Sequence, residues 1–318
     1  MVFHGGEPML VGASKFAWFC EKVSELENEL GVTLHLAITT NGTLINENWC
    51  EVIQKYGVGI TVSIDGPKNI NDSRRIDRKG FGAFEDTLRG INLLRSYNID
   101  PGFIAVCDPS SSGREVYDFF VNTLNATRFD VLFPDITHDD TSPESVFLFY
   151  KDLFSSWKSN YYSQRVDIRI LRNMVNGLLN RISHTHSIGG GAVDTIMIKP
   201  DGQLAALDVA SIIGNNATTT PFNVLNDEIH SIQTDVLWCE IYSASSSLPT
   251  PCRGCLFEKP CGGGHIMSRW SSHNGFDNRS VYCSDYKNIF SFIWKEINQS
   301  ISLQQKDMTD EVACAAGD

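Results

Sequence analysis

Two periodicities alternate between residues 14 and 135, and this alternation restricts the fold more than any other feature of the chain. Phe16, Phe19, Cys20, Val23, Leu26 and Leu30 recur at the spacing of one helical face over 14–30. TLHLAITTNG (33–42) then reads as a buried strand closed by Asn-Gly, and NENWCEVIQKYG (46–57) as a short helix ending at Gly57. Strand and helix repeat in GITVSIDGP (59–67), FEDTLRGINLLRSYNI (84–99), GFIAVCDP (102–109), GREVYDFFVNTLN (113–125) and FDVLFPD (129–135). Helices joining successive strands imply a parallel sheet covered by helices.

In such α/β folds ligands bind at the carboxyl ends of the strands. Here those ends are GGEP, TTNG, SIDGP, CDPSS and PDITHDD, which predicts one polar site on one rim. The adjacent Gly5 and Gly6 let backbone approach a ligand closely, and the acid beside them, Glu7, can orient an ammonium group. Asn41-Gly42 and Asp65-Gly66 are equally strong turn formers. The last end carries Asp135, His138, Asp139 and Asp140. Such carboxylates can serve as a general base or cap the helix expected after Pro143.

The pattern changes beyond residue 143. Residues 143–183 read as two long helices, SIGGGAVD (187–194) as a flexible joint, and TIMIKPDGQLAAL (195–207) as a hairpin turning at Asp201-Gly202. DYKNIFSFIWKEINQSI (285–301) is an amphipathic helix and 303–318 a loose tail. The expected divisions are thus 1–186, 187–302 and 303–318. No apolar window reaches 18 residues and MVFHGGEPM is not a signal peptide, so neither membrane span nor export is expected, and the cytoplasm is the expected location. A formal charge of -12 argues against a nucleic-acid partner, which needs clustered Lys and Arg.

Of nine cysteines, Cys20, Cys50, Cys107, Cys239 and Cys314 stand singly and read as small core residues. The other four lie in PCRGCLFEKPCGGGHIMSRWSSHNGFDNRSVYC (251–283). Cys252, Cys255 and Cys261 form C-x2-C-x5-C beside three glycines, and Cys283 completes a set of four thiolates. Four thiolates suit one [4Fe–4S] cluster or one tetrahedral zinc, and the spacing does not separate them.

GGEP, TTNG and SIDGP in series resemble the radical S-adenosylmethionine (SAM) enzymes, and the distal cysteines resemble their SPASM extension. The resemblance implies an α/β chain: a partial (β/α)6 barrel lacking its first strand, followed by a small iron–sulfur domain. It implies that Gly5, Gly6 and Glu7 meet the methionine amino group of SAM, and that Asn41, Ser63, Asp65 and Arg75 line its pocket. It favours a cluster over zinc in the cysteine set. CGGGH, GFDNRSVYC, LFPDITHDD and IKPDGQLAALD resemble the subgroup that builds three-residue cyclophanes in ribosomally made precursor peptides, the XYE, GRR and FXS types. That implies a peptide partner, a small redox protein as electron donor, and Asp135 or Asp139 as acceptor of a ring proton. Sulfatase-maturing SPASM enzymes share the general signature without CGGGH or GFDN.

The motif C-x3-C-x2-C, which holds the SAM-cleaving cluster in this family, is absent from the 318 residues. The expectation is therefore an N-terminally truncated maturase, inactive alone, with a catalytically inactive iron–sulfur or zinc remnant that binds a peptide as the alternative. His265 stands where the family's second auxiliary cluster takes a cysteine, and QLAALDVAS lacks one as well. One auxiliary [4Fe–4S] cluster and a hydrogen-bonding His265 are expected.

Overall fold

The computed structural model describes residues 1–181, 185, 187–193, 195–214 and 217–315. Six parallel strands form one sheet in sequential order: β1 (Val2–Phe3), β2 (Ala37–Thr40), β3 (Gly59–Ser63), β4 (Gly102–Val106), β5 (Arg128–Leu132) and β6 (Asp167–Ile168). The helices between them are α1 (Ala13–Leu30), α2 (Glu47–Tyr56), α3 (Lys68–Asn71), α4 (Phe84–Ser96), α5 (Gly113–Asp118) and α6 (Phe147–Gln164). The expected βα series is therefore present. β6 was not legible as a strand, and its two residues break the stretch expected to hold two long helices. The second of these, α7 (Arg169–Leu178), follows β6 directly.

The chain falls into two compact units, Met1–Pro134 with Ser155–Arg169, and Asp135–Phe154 with Ile170–Asp318. The first holds the parallel sheet. Its helix ends follow local chemistry. The Asn46 side chain accepts from Trp49 N at 3.1 Å to start α2, and Gly57 ends it in the left-handed region at φ 61°. Asp72 Oδ1 accepts from Phe84 N at 2.9 Å at the start of α4. Along the strands burial alternates. Ile38, Thr40, Ile60, Val62, Phe103 and Ala105 are buried, whereas Thr39, Thr61, Ser63, Ile104 and Val106 are only partly covered. With a side-chain period of two, the second set shares one sheet face. That face is polar at Thr39, Thr61 and Ser63. At the sheet edge Val2 is 60% exposed, and on the neighbouring α1 Trp18 is also 60% exposed. Aromatic packing fills the covered face, with Phe120 stacked on Phe129 at 4.5 Å between centroids and Phe103 alongside at 5.9 Å.

The second unit is loop-rich. The expected hairpin is present as β7 (Met197–Ile198) and β8 (Leu204–Ala205), antiparallel, with Gly202 at φ 84°. α8 (Val236–Ser245), α9 (Glu258–Cys261) and α10 (Cys283–Ala315) complete it. Leu204, Ala206, Ile232, Trp238, Ile241 and Met267 form its buried cluster. The 187–194 stretch, expected to be a bare joint, is anchored where it is described: Gly189 N donates to Cys261 O at 2.9 Å and Val193 N to Ser245 Oγ at 2.8 Å. Asp194 lies outside the described residues. The tail expected from 303 continues α10 to Ala315, because no proline or glycine interrupts the backbone there. Residues 316–318 lie outside the described residues.

Helix α4 presses on the TTNG end of β2. A methyl group at Gly90 would sit 2.2 Å from Gly42 O and 3.1 Å from Ile45 Cδ1. Gly90→Ala is expected to cost about 1–3 kcal/mol through overpacking, measured as a lower urea midpoint. A variant as stable as the parent would show that this contact is slack.

Candidate functional site

Parallel strands in sequential order put every carboxyl end on one side of the sheet, so GGEP, TTNG, SIDGP and CDPSS share a rim. Gly5 and Gly6 both have positive φ, 80° and 53°, and a Cβ at either would meet nothing within 4 Å. These positions need glycine for their backbone angle, not for room. The Glu7 carboxylate is held by the protein itself. Oε1 accepts from Met9 N at 3.0 Å and Thr40 Oγ1 at 2.8 Å, and Oε2 accepts from Asn41 N at 2.9 Å. Glu7 thus ties the GGEP loop to the end of β2. Asn41 Oδ1 accepts from Thr43 N and Thr43 Oγ1 at 2.9 and 2.8 Å, an Asx turn.

Asp65 is 3% exposed and receives Arg75 as a two-pronged pair, Nε to Oδ2 and Nη2 to Oδ1, both at 2.8 Å. Val106 N donates to Asp65 Oδ1 at 2.9 Å, which ties the ends of β3 and β4. Asp65 and Arg75, both expected at the pocket, are therefore together, as partners of each other. Ser63 lies on the partly covered face of the sheet.

In the second unit the acidic run separates by role. Asp140 Oδ2 accepts from Thr137 N and Oγ1 at 2.9 and 2.8 Å, and these bonds lower its pKa. Both oxygens of Asp139 accept from Ser272 N, at 3.1 and 2.9 Å. His138 Nε2 meets Arg279 O at 2.7 Å. Asp135 faces a different neighbour: its Oδ1 lies 3.9 Å from His265 Nδ1. Partial desolvation and the negative charge of Asp208 push the Asp135 carboxyl, still half-exposed at 52%, above the ordinary carboxylate range. Asp208 was not among the residues expected at a site. Its only signal in the sequence is a lone carboxylate closing QLAALD after the hairpin.

The four cysteines of 251–283 come from separate local devices and line one small recess with Phe257 and Tyr286. Cys252 ends a 3-10 turn, Cys261 ends α9, and Cys283 begins α10. The last of these thiols therefore lies at a helix N-terminus. Gly262, Gly263 and Gly264 all have positive φ, and a Cβ at Gly264 would meet Tyr286 at 2.7 Å. Burial pushes the Cys261 thiol up to about 12, against a hydrogen bond from the Gly263 backbone, and the other three thiols raise it further. Tyr286, 2% exposed, shares a backbone hydrogen bond with His265. Among the described residues no three His, Cys, Asp or Glu side chains group closely enough for a single metal ion. The donor set of the recess is four sulfurs. Cys20, Cys50 and Cys107 are buried as packing residues, and the side chain of Cys314 lies outside the described residues. No helix among the described residues is long and apolar enough to cross a membrane.

Residues 1–115 match the Radical SAM superfamily. Over 93% of its length the chain is similar, at 24% identity, to the cysteine-type anaerobic sulfatase-maturating enzyme of Clostridium perfringens (strain 13 / Type A), covering 81% of that enzyme. The serine-type anaerobic sulfatase-maturating enzyme of Klebsiella aerogenes is 26% identical over 92% of this chain and 71% of its own length. Among solved structures, native anSMEcpe with bound AdoMet and Cp18Cys peptide superposes with a TM-score of 0.81 at 23% identity, over 95% of this chain and 85% of the other. At that identity the likeness is one of fold.

Two outcomes follow for stability. Asp65→Asn breaks a pair whose acid is buried and is expected to cost about 3 kcal/mol, read from urea unfolding; an unchanged midpoint would remove the tie between β3 and β4. Cys261 ionises near 9.0 when unexposed to these neighbours and near 12 in the fold. The metal-free chain therefore keeps this contribution below pH 9 and loses stability as pH rises toward 12. Cys261→Ala should flatten that slope in thermal melts.

Proposed function

We propose that this chain carries the substrate and auxiliary-cluster machinery of a radical SAM peptide maturase, one that joins an aromatic ring of a ribosomally made precursor to the β-carbon of a residue two positions later. One observation supports this reading most. LFPDITHDD, IKPDGQLAALD and CGGGH are far apart in sequence, yet Asp135 from the first is 3.9 Å from His265 of the third and feels the charge of Asp208 from the second. Forming a carbon–carbon bond to a ring carbon by radical attack leaves a ring proton and one electron to be removed, the electron passing to the auxiliary cluster that the four cysteines would hold. Asp135 takes that proton. Its raised affinity for protons, set by partial desolvation and Asp208, suits a base that must hold one, and His265 lies beside the carboxylate. Asp139 clamps Ser272 and so positions the segment.

SAM, when bound, would supply the radical chemistry that removes a hydrogen atom from the substrate. The thiolates for the SAM-cleaving cluster do not fit on the residues present: C-x3-C-x2-C is absent, and Cys20, Cys50 and Cys107 are buried in packing. No step is derived through it, and the chain alone is expected to be inactive. At the rim, Gly5 and Gly6 bring backbone to the SAM amino group, Glu7 fixes their loop, the Asp65–Arg75 pair fixes the end of β3, and Asn41 and Ser63 border the pocket. Cys252, Cys255, Cys261 and Cys283 would hold one auxiliary [4Fe–4S] cluster, served by a small redox protein. A second reading, maturation of a sulfatase, is favoured by similarity to such enzymes over more than nine-tenths of the chain.

The anaerobically reconstituted chain is expected to bind about four irons; zinc in their place refutes the cluster. Supplied with a C-x3-C-x2-C segment, SAM and dithionite, it should link ring to β-carbon in an aromatic-x-x peptide, with loss of two hydrogens located by tandem mass spectrometry. Modification of a sulfatase-derived cysteine peptide instead selects the second reading. Asp135→Asn should slow crosslinking by about a hundredfold or more, while 5′-deoxyadenosine still forms. In the parent the rate should fall with decreasing pH through a value above the 3.8 of an ordinary Asp. Undiminished crosslinking in the variant would remove Asp135 as the base.

A further inference from the structure

We infer that Arg269 is the built-in counter-charge of the four-thiol centre, a positioning residue that holds the reduction potential of the cluster bound there above the value the four thiolates alone would set. The inference rests on the cluster reading above.

Arg269 is 2% exposed and ends the short 3-10 turn Met267–Arg269. Its Nε donates to Phe276 O at 3.1 Å and its Nη1 to Ala244 O at 2.9 Å. Both partners are neutral carbonyls. Among the described residues no carboxylate oxygen lies within 4.0 Å of the guanidinium. A guanidinium cannot shed its proton to escape burial, and a buried cation without an anion is costly.

The negative groups that act on it are Cys252, Asp277 and Cys261. Asp277 is exposed, and its Oδ1 accepts from Thr250 N at 2.6 Å, so water and that bond absorb much of its field. The sulfurs, once ionised by a bound centre, are the remaining anions. The influence is mutual, since Arg269 favours the ionised form of Cys252. The side chain also packs on the cysteine loop: its Cδ lies 3.6 Å from the position a Cβ on Gly263 would take. A buried cation that is unpaired by carboxylates and packs against Gly263 of the recess wall makes sense when that recess, lined also by the charges of Lys287 and Glu258, holds a net negative centre.

The electron count is simple. Four thiolates around a [4Fe–4S]²⁺ core carry a total of −2, and one electron from dithionite makes −3, with no bond or proton moved. A fixed positive charge at short range in a poorly screened interior stabilises the −3 state more than the −2 state. Arg279 provides the contrast. It too acts on Cys252, but it is exposed, its Nε bonded to Pro251 O at 3.0 Å, and solvent screens it.

The test is an EPR-monitored redox titration of the full reconstituted chain against its R269Q, R269K and R279Q variants, with iron measured in each. R269Q is expected to make reduction at least tenfold less favourable, a fall of about 59 mV or more for a one-electron couple. R269K should keep most of the parent potential, and R279Q should stay close to it. Equal potentials for parent and R269Q, or an equal fall in R279Q, would overturn the inference. If R269Q retains no cluster, R269K decides: full iron in R269K supports the counter-charge, and loss in both overturns it in favour of packing alone. A parent that binds no iron ends the cluster reading, and this shows in the metal analysis, not in a potential.

Discussion

The parallel pairing of six strands in the order they are made is the constraint on which the first unit depends. Parallel ladders have no hairpins, so each strand must be followed by a crossover, here a helix. The consequence is directional. Every loop that leaves a strand emerges at the same rim, and every loop that returns lies at the other. The helices cover one sheet face, while Thr39, Thr61 and Ser63 leave the other partly open and polar. The ties at the rim, Glu7 to Thr40 and Asn41, and Asp65 to Arg75 and Val106, then fix loops that backbone ladders no longer hold.

The second unit meets a different demand. Its cysteine recess has little regular structure around it, and left-handed glycines do the turning that strands and helices cannot. Thiols so placed resist ionisation, as Cys261 shows, and they repel one another once ionised. A cationic centre between them reverses both penalties, since metal binding and thiolate formation are coupled.

How much of this was legible follows from the range of each interaction. The βα order and the α2 and α4 boundaries were readable because helical and strand periodicity, with caps such as Gly57, are local. The four cysteines were readable as a set because three fall within ten residues. β6 was not: two residues, Asp167 and Ile168, carry no period, and only pairing with Arg128 and Phe129 makes them a strand. The anchoring of 187–193 was hidden because glycines suggest a linker, while the bond that holds Gly189 belongs to Cys261, far along the chain. Side-chain roles were the least legible. Composition makes Asp135, Asp139 and Asp140 alike, and distant partners, His265, Ser272 and, for Asp140, the nearby Thr137, distinguish them. Asp208 and Arg269 drew no notice in a sequence whose charges mostly serve solubility.

The saturation of Glu7 has a consequence for how the GGEP loop can recognise anything. With three protein donors already on its two oxygens, this carboxylate has little left to offer a ligand. What the loop presents outward is main chain, at Gly5 and Gly6, in angles that side-chain-bearing residues rarely adopt. Recognition there is written in the path of the backbone, so it tolerates no change that alters that path, yet it is blind to most changes in the side chains around it.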